Sequence, residues 1–142
     1  MRDDMVLPPH VERVRDEWID YNGHLNEAYY VLVFGHATDA VMDALGMDEA
    51  YRRRAGCSLF TVEAHIRYLD QVGPGADLEV RTWVTDASRK RLNLAHEMYV
   101  GDGLRATEDV VALHVDTVAG RTAPFPDGIA AEISRRTASA SS

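Results

Sequence analysis

Apolar residues recur at helical spacing along one long stretch in the first third of the chain. The stripe consists of Tyr30, Val33, Phe34, Ala37, Ala40, Val41, Ala44 and Leu45. Spacings of three and four residues are typical of a helix that buries one face. Gly46 suits the left-handed residue that often follows a helix. The pattern therefore predicts a long helix from Asn26 to about residue 45, and Asp48 is placed to cap a short helix at residues 51–54.

Segments with strand-like composition stand on both sides of this helix. They are residues 10–14, 58–69, 77–85, 92–100 and 104–115. Gly-Pro-Gly at 73–75 and Gly-Asp-Gly at 101–103 carry turn chemistry, so we expect sequential strands to pair as hairpins. Alternate positions in the third and fourth segments form one inward face: Leu78, Val80, Thr82, Val84, Leu92, Leu94, Met98 and Val100. This order predicts an α+β fold in which a curved antiparallel sheet wraps a long central helix.

The length of 142 residues allows one buried core but is short for two. We therefore expect a single domain at residues 1–136 and a flexible tail at 137–142, where small polar residues offer no anchor to a core. No apolar run approaches the roughly 20 residues that cross a bilayer, so no membrane role is expected. The net charge of −8 argues against a nucleic-acid partner, which needs a basic surface.

Cysteine and histidine usage indicates which compartment and which kinds of site to expect. The single Cys57 cannot form an internal disulfide, and residues 1–4 lack the basic-then-apolar pattern of a secretory signal, so we expect a cytoplasmic protein. Cys57 has no compelling local histidine partner for a nucleophilic role. The histidines show no HExxH motif or paired cysteines, and we predict no metal.

The segment with the clearest chemical potential is Asp-Tyr-Asn-Gly-His-Leu-Asn at residues 20–26, just before the long helix. Free amides at a helix start stabilise negative charge that develops on a carbonyl oxygen. A carboxylate such as Asp20 beside them can attack an acyl carbon or deprotonate a water. On spacing alone, a capping role for Asp20 or Asn26 and a simple turn at Gly23 account for the same residues.

Two further groups of polar residues are candidates for ligand binding. Arg89, Lys90 and Arg91 form a dense basic run in this acidic chain, which can hold phosphates or simply form a solvated strand end. His65 and Arg67 share one face of a predicted strand. His65 is equally well explained as a histidine that makes structural hydrogen bonds.

Residues 20–26 and the helix after them resemble the Asp-x-x-Gly-His-x-Asn signature of the 4-hydroxybenzoyl-CoA thioesterase-like hot-dog proteins. Further similar segments lie at residues 66–69, 89–92, 115–116 and 120–121. The resemblance runs from about Val11 to Pro126. It implies a hot-dog fold and an acyl-CoA thioesterase. The family often carries a second acid two residues before the catalytic one, where this chain has Trp18.

The resemblance also implies roles for particular residues. Asp20 would be the catalytic carboxylate, in a set completed by Gly23, His24 and Glu27, and the amide near Glu27 would polarise the thioester carbonyl. Coenzyme A would be part of the substrate, with no separate cofactor, and its phosphates would be held by the basic run at residues 89–91. The family implies a homodimer or homotetramer, whose seam at residues 58–69 could bring His65 or Arg67 into the partner's site.

A narrower likeness is to the betainyl-CoA thioesterases of carnitine breakdown, on residues 18–24, 27, 34–35, 37–40, 61–63 and 65–67. A quaternary ammonium group is held by aromatic faces and negative charge. Trp18 and Glu27 fit such a pocket. The expected substrate-binding set is Trp18, Tyr21, Asn26, Tyr30, His65 and Arg67, and Tyr68 could add a further wall.

Several alternatives remain at this stage. Tyr30 also belongs to the helix stripe and could be an ordinary core residue. Other short or aromatic acyl-CoA thioesters, a hot-dog hydratase and a non-catalytic acyl-CoA-binding protein are the competing functions. The sequence does not decide whether Asp20 forms an acyl-enzyme anhydride or activates water, because both need one carboxylate near the same carbonyl.

Overall fold

The helical stripe forms the longest helix of the structure, a computed structural model that describes residues 7–137. Helix α1 spans Glu27–Leu45 and begins where the Asn26 side chain accepts a hydrogen bond from the Ala28 amide at 2.9 Å. It ends at Gly46, whose φ of 97° is the left-handed conformation that glycine tolerates best. The predicted long helix is confirmed. No helix in the described part of the chain is long and apolar enough to span a membrane.

The strands form one curled antiparallel sheet around α1. They are β1 His10–Arg13, β2 Cys57–Tyr68, β3 Asp77–Ala87, β4 Arg91–Val100, β5 Gly103–Asp116 and β6 Arg121–Thr122. The order across the sheet is β1-β3-β4-β5-β2, and the short β6 pairs with the end of β5. The described sheet therefore has β1 and β2 as its edges.

Two of the three expected hairpins are present, but the predicted pairing of β2 with β3 is wrong. Strands β3 and β4 pair, as do β4 and β5, but β2 pairs with β5 from Cys57 opposite Asp116 to Tyr68 opposite Ala106. The Gly-Pro-Gly segment therefore belongs to a crossing connection between opposite sides of the sheet. Val72 anchors this connection, because it is fully buried and its carbonyl accepts a hydrogen bond from the Leu25 amide at 2.8 Å.

Three short elements were not predicted from the sequence. They are a 3-10 turn at Asp16–Trp18, strand β6 and helix α3 at Asp127–Arg136. Helix α2 spans Glu49–Ala55, with Asp48 as its cap as predicted. Of the predicted tail, Thr137 forms an isolated bridge with Val84, and residues 138–142 lie outside the described part of the chain.

The inward faces of the sheet strands and of the helices form the core. The predicted apolar positions of β3 are all buried, and those of β4 are buried except for the half-buried Val100. Helix α3 contributes Ile129 and Ile133 to the part of the core near the end of α1. A buried polar pair fits beside them: His114 donates from Nδ1 to the Ala123 carbonyl and accepts the Tyr51 hydroxyl at Nε2, both at 2.8 Å.

We expect a valine truncation in this core to destabilise the protein. Val41 on α1 is 3% exposed, so Val41→Ala removes two buried methyl groups and leaves a cavity at a cost of about 2 kcal/mol. The free energy of unfolding, measured by urea denaturation at a fixed protein concentration, tests this. Val118→Ala is the matched control, because Val118 is 88% exposed and should change stability by less than about 0.5 kcal/mol. Equal effects at both positions would contradict the described packing.

Candidate active site

The segment before α1 folds into a tight turn that is tied down at both ends. The Asp20 amide donates to the His24 carbonyl at 3.0 Å, and the Gly23 amide donates to the Asp20 carbonyl at 2.9 Å. Gly23 has a φ of 80°, which explains the need for glycine at the corner. Ile19 and Leu25 close the turn by an isolated antiparallel bridge. The turn therefore holds Asp20 beside the start of α1.

One oxygen of the Asp20 carboxylate and one amide of the helix start remain available to a ligand. Asp20 Oδ1 accepts from the Asn22 amide at 2.9 Å, whereas Oδ2 has no hydrogen bond to the described residues. At the helix start, Asn26 accepts from the amides of Ala28 and Tyr29, both at 2.9 Å. The Glu27 amide donates to none of residues 7–137 and lies at the positive end of the helix dipole. Asn26, expected to bind substrate, is thus the helix cap.

A cavity of about 540 Å³ opens at this helix start. Its lining residues are Asp20, His24, Leu25, Glu27, Tyr30, Tyr68, Leu69, Asp70 and Gln71. Three of them are carboxylic acids, two are tyrosines and none is a lysine or arginine. The site therefore combines negative charge with aromatic surface. Five residues predicted from the sequence lie together here: Asp20, His24, Glu27, Tyr30 and Tyr68.

Two tyrosines form an aromatic corner of the cavity. The rings of Tyr30 and Tyr68 meet edge to face, with centroids 5.0 Å apart. Tyr30 donates its hydroxyl to the Asp70 carbonyl at 3.2 Å, and Tyr68 donates to the Glu27 carbonyl at 3.3 Å. Burial raises the pKa of both phenols, and for Tyr68 the carboxylates of Glu27 and Glu108 raise it further. Both hydroxyls therefore stay protonated and orient the loop and the helix start.

Trp18 and Tyr21, the other two aromatic residues predicted to bind substrate, do not line the cavity. Trp18 is only 6% exposed, and its ring stacks on Tyr29 at 5.4 Å instead of facing the cavity. Tyr21 is 97% exposed at the tip of the turn. Their predicted contact with substrate remains a prediction, because one chain alone does not bring either ring to the cavity.

His65 and Arg67 lie on the opposite face of β2 from Tyr68. Both are exposed, which agrees with the predicted shared face. Arg67 borders a shallow hollow of about 180 Å³ together with Glu97 and Asp109. Within one chain neither residue reaches the cavity of Asp20, so any role there requires a second chain.

The basic run forms the turn between β3 and β4. Arg91 pairs with Asp86 at 3.1 Å, and the Lys90 carbonyl accepts from the His114 amide near the end of β5. That end of the sheet is where β2 begins, whereas Tyr68 and the cavity lie where β2 ends. The length of β2, 12 residues, therefore separates the basic run from the cavity by on the order of 35 Å within one chain.

Some residues that line the cavity were not predicted from the sequence to belong to the site. Leu69, Asp70 and Gln71 belong to the loop after β2. They reach the site because this loop leads into the crossing connection anchored at Val72. No local motif marks such residues, since their place depends on where the chain passes over the helix start.

Three side chains outside the cavity have atoms placed to hold a metal. They are His10, Glu12 and His36, from β1 and α1, whose ligand atoms lie within 4.8 Å of one another. Glu12 Oε1 already lies 2.8 Å from His10 Nε2 and from His36 Nδ1. The cluster is thus internally hydrogen-bonded, and none of its members lines the cavity. The absence of a metal remains a prediction.

Comparison with known proteins identifies the family. The model of the thioesterase-like superfamily matches residues 14–133, and the chain belongs to that superfamily. It is 43% identical to a betainyl-CoA thioesterase of Pseudomonas aeruginosa over 131 residues, which cover 90% of this chain and 82% of that protein. It is 44% identical to an L-carnitine dehydrogenase/betainyl-CoA thioesterase of Agrobacterium fabrum over 89% of this chain, but spans only 26% of that longer protein. The predicted thioesterase is confirmed.

Solved structures confirm the hot-dog fold. A Staphylococcus aureus protein in complex with CoA superposes with a TM-score of 0.87 at 26% identity, covering 92% of this chain and 85% of that one. A putative thioesterase from Pseudomonas putida superposes with a TM-score of 0.78 at 35% identity, covering 89% and 82%. The predicted α+β hot-dog architecture is therefore correct.

We expect thioester hydrolysis to survive treatment with a metal chelator, because the cavity supplies its own carboxylate and amide. Free-thiol release after EDTA and gel filtration should equal that of untreated protein. His36→Gln, which opens the His10–Glu12–His36 cluster, serves as a comparison. A loss of activity that Zn²⁺ restores in the unmodified protein but not in this variant would show instead that the cluster holds a functional metal.

Proposed function

We propose that this thioesterase hydrolyses betainyl-CoA to glycine betaine and free CoA. The observation that carries the proposal is the cavity beside Asp20, where three acids and two tyrosines meet without a lining lysine or arginine. A trimethylammonium group has no N–H to donate, so it is recognised by negative charge and aromatic faces. The named activity of the Pseudomonas aeruginosa relative supports the same substrate.

In the proposed reaction the thioester carbonyl oxygen faces the amide of Glu27. That amide and the helix dipole stabilise the negative charge that develops on the oxygen. Asp20 acts through its unengaged Oδ2, either by attacking the carbonyl carbon or by taking a proton from water that does so. The C–S bond then breaks, and the thiolate of CoA leaves and takes up a proton. Where Asp20 is the nucleophile, a water then cleaves the mixed anhydride, which releases glycine betaine and restores the Asp20 carboxylate. Gly23 and His24 keep the turn in position.

Binding of the CoA phosphates points to a second copy of the chain. The basic turn of Arg89, Lys90 and Arg91 lies at the other end of β2 from the cavity. If two chains pair antiparallel along β2, each basic turn approaches the partner's cavity. The exposed apolar side chains of this edge strand support such pairing, because Phe60, Val62 and Tyr68 are 47–51% exposed.

This pairing assigns roles to residues that do not reach the cavity of their own chain. His65 and Arg67 lie on the same edge strand and would approach the partner's site. We accordingly propose a homodimer or homotetramer as the active form. A cytoplasmic location fits both the acyl-CoA substrate and a chain with a single cysteine.

We expect Asp20→Asn to reduce kcat for betainyl-CoA by at least about 100-fold, because the amide neither attacks nor accepts a proton. Free-thiol release measures the loss, and size-exclusion chromatography checks that the assembly is unchanged. Asp102→Asn, in the exposed turn between β4 and β5, is the matched control and should retain activity. Retained turnover in Asp20→Asn would remove Asp20 from the chemical step.

The substrate itself is tested with a neutral isostere. 3,3-Dimethylbutanoyl-CoA has the shape of betainyl-CoA, with a carbon atom in place of the quaternary nitrogen. Because the quaternary nitrogen also makes the thioester intrinsically more reactive, each kcat/KM is divided by the rate constant for uncatalysed hydrolysis of the same thioester. We expect this corrected kcat/KM to favour betainyl-CoA by at least about tenfold, since the acidic, aromatic cavity recognises the positive charge. Equal values for the two substrates would show that the enzyme does not recognise the positive charge. They would reject the betainyl-CoA proposal while leaving the reaction class intact.

A further inference from the structure

A buried glutamate that the proposed reaction does not use lies near the cavity. Glu108 is 6% exposed on the inward face of β5. Its cross-strand neighbours are His96 on β4 and Ile66 on β2. Carboxylates are rarely this buried unless a positive group or a set of hydrogen bonds compensates their charge.

No such compensation is present in the described chain. The nearest basic atom is His96 Nε2, at 4.0 Å, and among residues 7–137 it is the only ion-pair contact of Glu108. His96 is already hydrogen-bonded to Thr82 at Nδ1 and to Thr38 at Nε2. Burial lowers the pKa of His96 to about 4, so the ring is neutral near pH 7. Glu108 therefore has no charged counter-ion among residues 7–137 near pH 7.

The strand register connects Glu108 to the cavity. Tyr68, which lines the cavity, pairs with Ala106, and Glu108 follows two residues later on the same face of β5. Such diagonal neighbours have Cβ atoms about 7–8 Å apart, a distance that a glutamate side chain can largely span. The carboxylate is close enough to Tyr68 to raise the pKa of its phenol. Ile66 lies between them on β2 and is only half-buried.

We infer that Glu108 is the counter-ion that selects a cationic acyl group, with Tyr68 as the aromatic wall between it and the thioester. This inference rests on the proposed function and names the residue that recognises the positive charge of the acyl group. A quaternary ammonium needs no directed hydrogen bond, so an anion a few ångströms beyond the methyl groups is sufficient. In a buried position that attraction is weakly screened by water.

The carboxylates that line the cavity are less suited to this role than Glu108, which lies behind Tyr68. Asp20 is assigned to the chemical step. Asp70 is 66% exposed in its side chain and lies 3.7 Å from the Arg105 guanidinium. Glu27 is exposed, so its charge is screened by solvent. Glu108 is the buried and uncompensated one.

A single substitution combined with the two isosteric substrates tests the inference. In Glu108→Gln we expect the ratio of kcat/KM for betainyl-CoA to that for 3,3-dimethylbutanoyl-CoA to fall by at least about tenfold, with the value for the neutral substrate unchanged or higher. Asp102→Asn is the matched control, because Asp102 lies in the exposed turn between β4 and β5 and its charge is not one of those that shift the pKa of Glu108. The ratio should be unchanged there.

A pH series on the unmodified protein gives a second readout that does not depend on folding of the variant. Burial, and then the charge of Asp109, raise the pKa of Glu108 to about 7. The titratable groups that face Glu108 are Tyr68 and His96, and neither changes charge near pH 7. The kcat/KM ratio should therefore rise between about pH 6 and pH 8 as Glu108 ionises. Effects on Asp20 cancel in the ratio.

The outcomes separate this inference from the function on which it rests. A protein that prefers betainyl-CoA but keeps its ratio in Glu108→Gln, or shows a ratio independent of pH, would overturn the role of Glu108 and leave the proposed function standing. A protein without preference for betainyl-CoA would overturn the proposed function first. Loss of activity toward both substrates alike in Glu108→Gln would mark Glu108 as structural and also overturn the inference.

Discussion

Phe34 lies at the centre of the contact between α1 and the sheet: it is fully buried, and its ring stacks on His96 at 5.7 Å. This contact fixes the helix while its first turn remains open to solvent. The turn that carries Asp20 is then fixed in relation to the helix, because Leu25 beside it is hydrogen-bonded to the buried Val72. The geometry of the site thus depends on packing along the rest of the helix, since a free helix start has no rigidity of its own.

The distribution of charge follows from the same arrangement. The open helix start supplies one free amide and the positive end of a dipole, which suit a carbonyl oxygen. Around them the cavity is acidic, so a negatively charged acyl group would be repelled. The phosphates of CoA need positive charge, and the group proposed to supply it is the basic turn at Arg89, Lys90 and Arg91, at the far end of β2. With these proposed roles, one protomer separates recognition of the acyl group from recognition of the nucleotide, which is the physical reason to expect an assembly.

Local sequence patterns predicted what local physics determines. The stripe around Phe34, the caps Asn26 and Asp48 and the alternating strands could all be recognised, as could the turn with Asp20. The pairing of β2 with β5 instead of β3 could not be predicted, because Gly-Pro-Gly suits a turn and a crossing connection equally well. Helix α3 was missed because its apolar residues are few, with Ile129 and Ile133 as its buried pair. In the sequence Glu108 is one polar position in a strand. Only the structure shows that, among residues 7–137, its one ion-pair contact is His96 at 4.0 Å, whose pKa is lowered to about 4.

The chemistry of the proposed substrate makes charge selection more useful than stronger catalysis. In a betainyl thioester the quaternary nitrogen is two bonds from the carbonyl carbon and withdraws electrons, so the carbonyl is already activated toward attack. A neutral thioester of the same shape lacks this activation and would also leave the buried Glu108 carboxylate without a partner, which costs free energy on binding. Both effects act against the neutral substrate, although only the second depends on the protein. In the proposed reaction, discrimination can therefore come from one buried carboxylate, while Asp20 and the Glu27 amide perform chemistry common to any thioester.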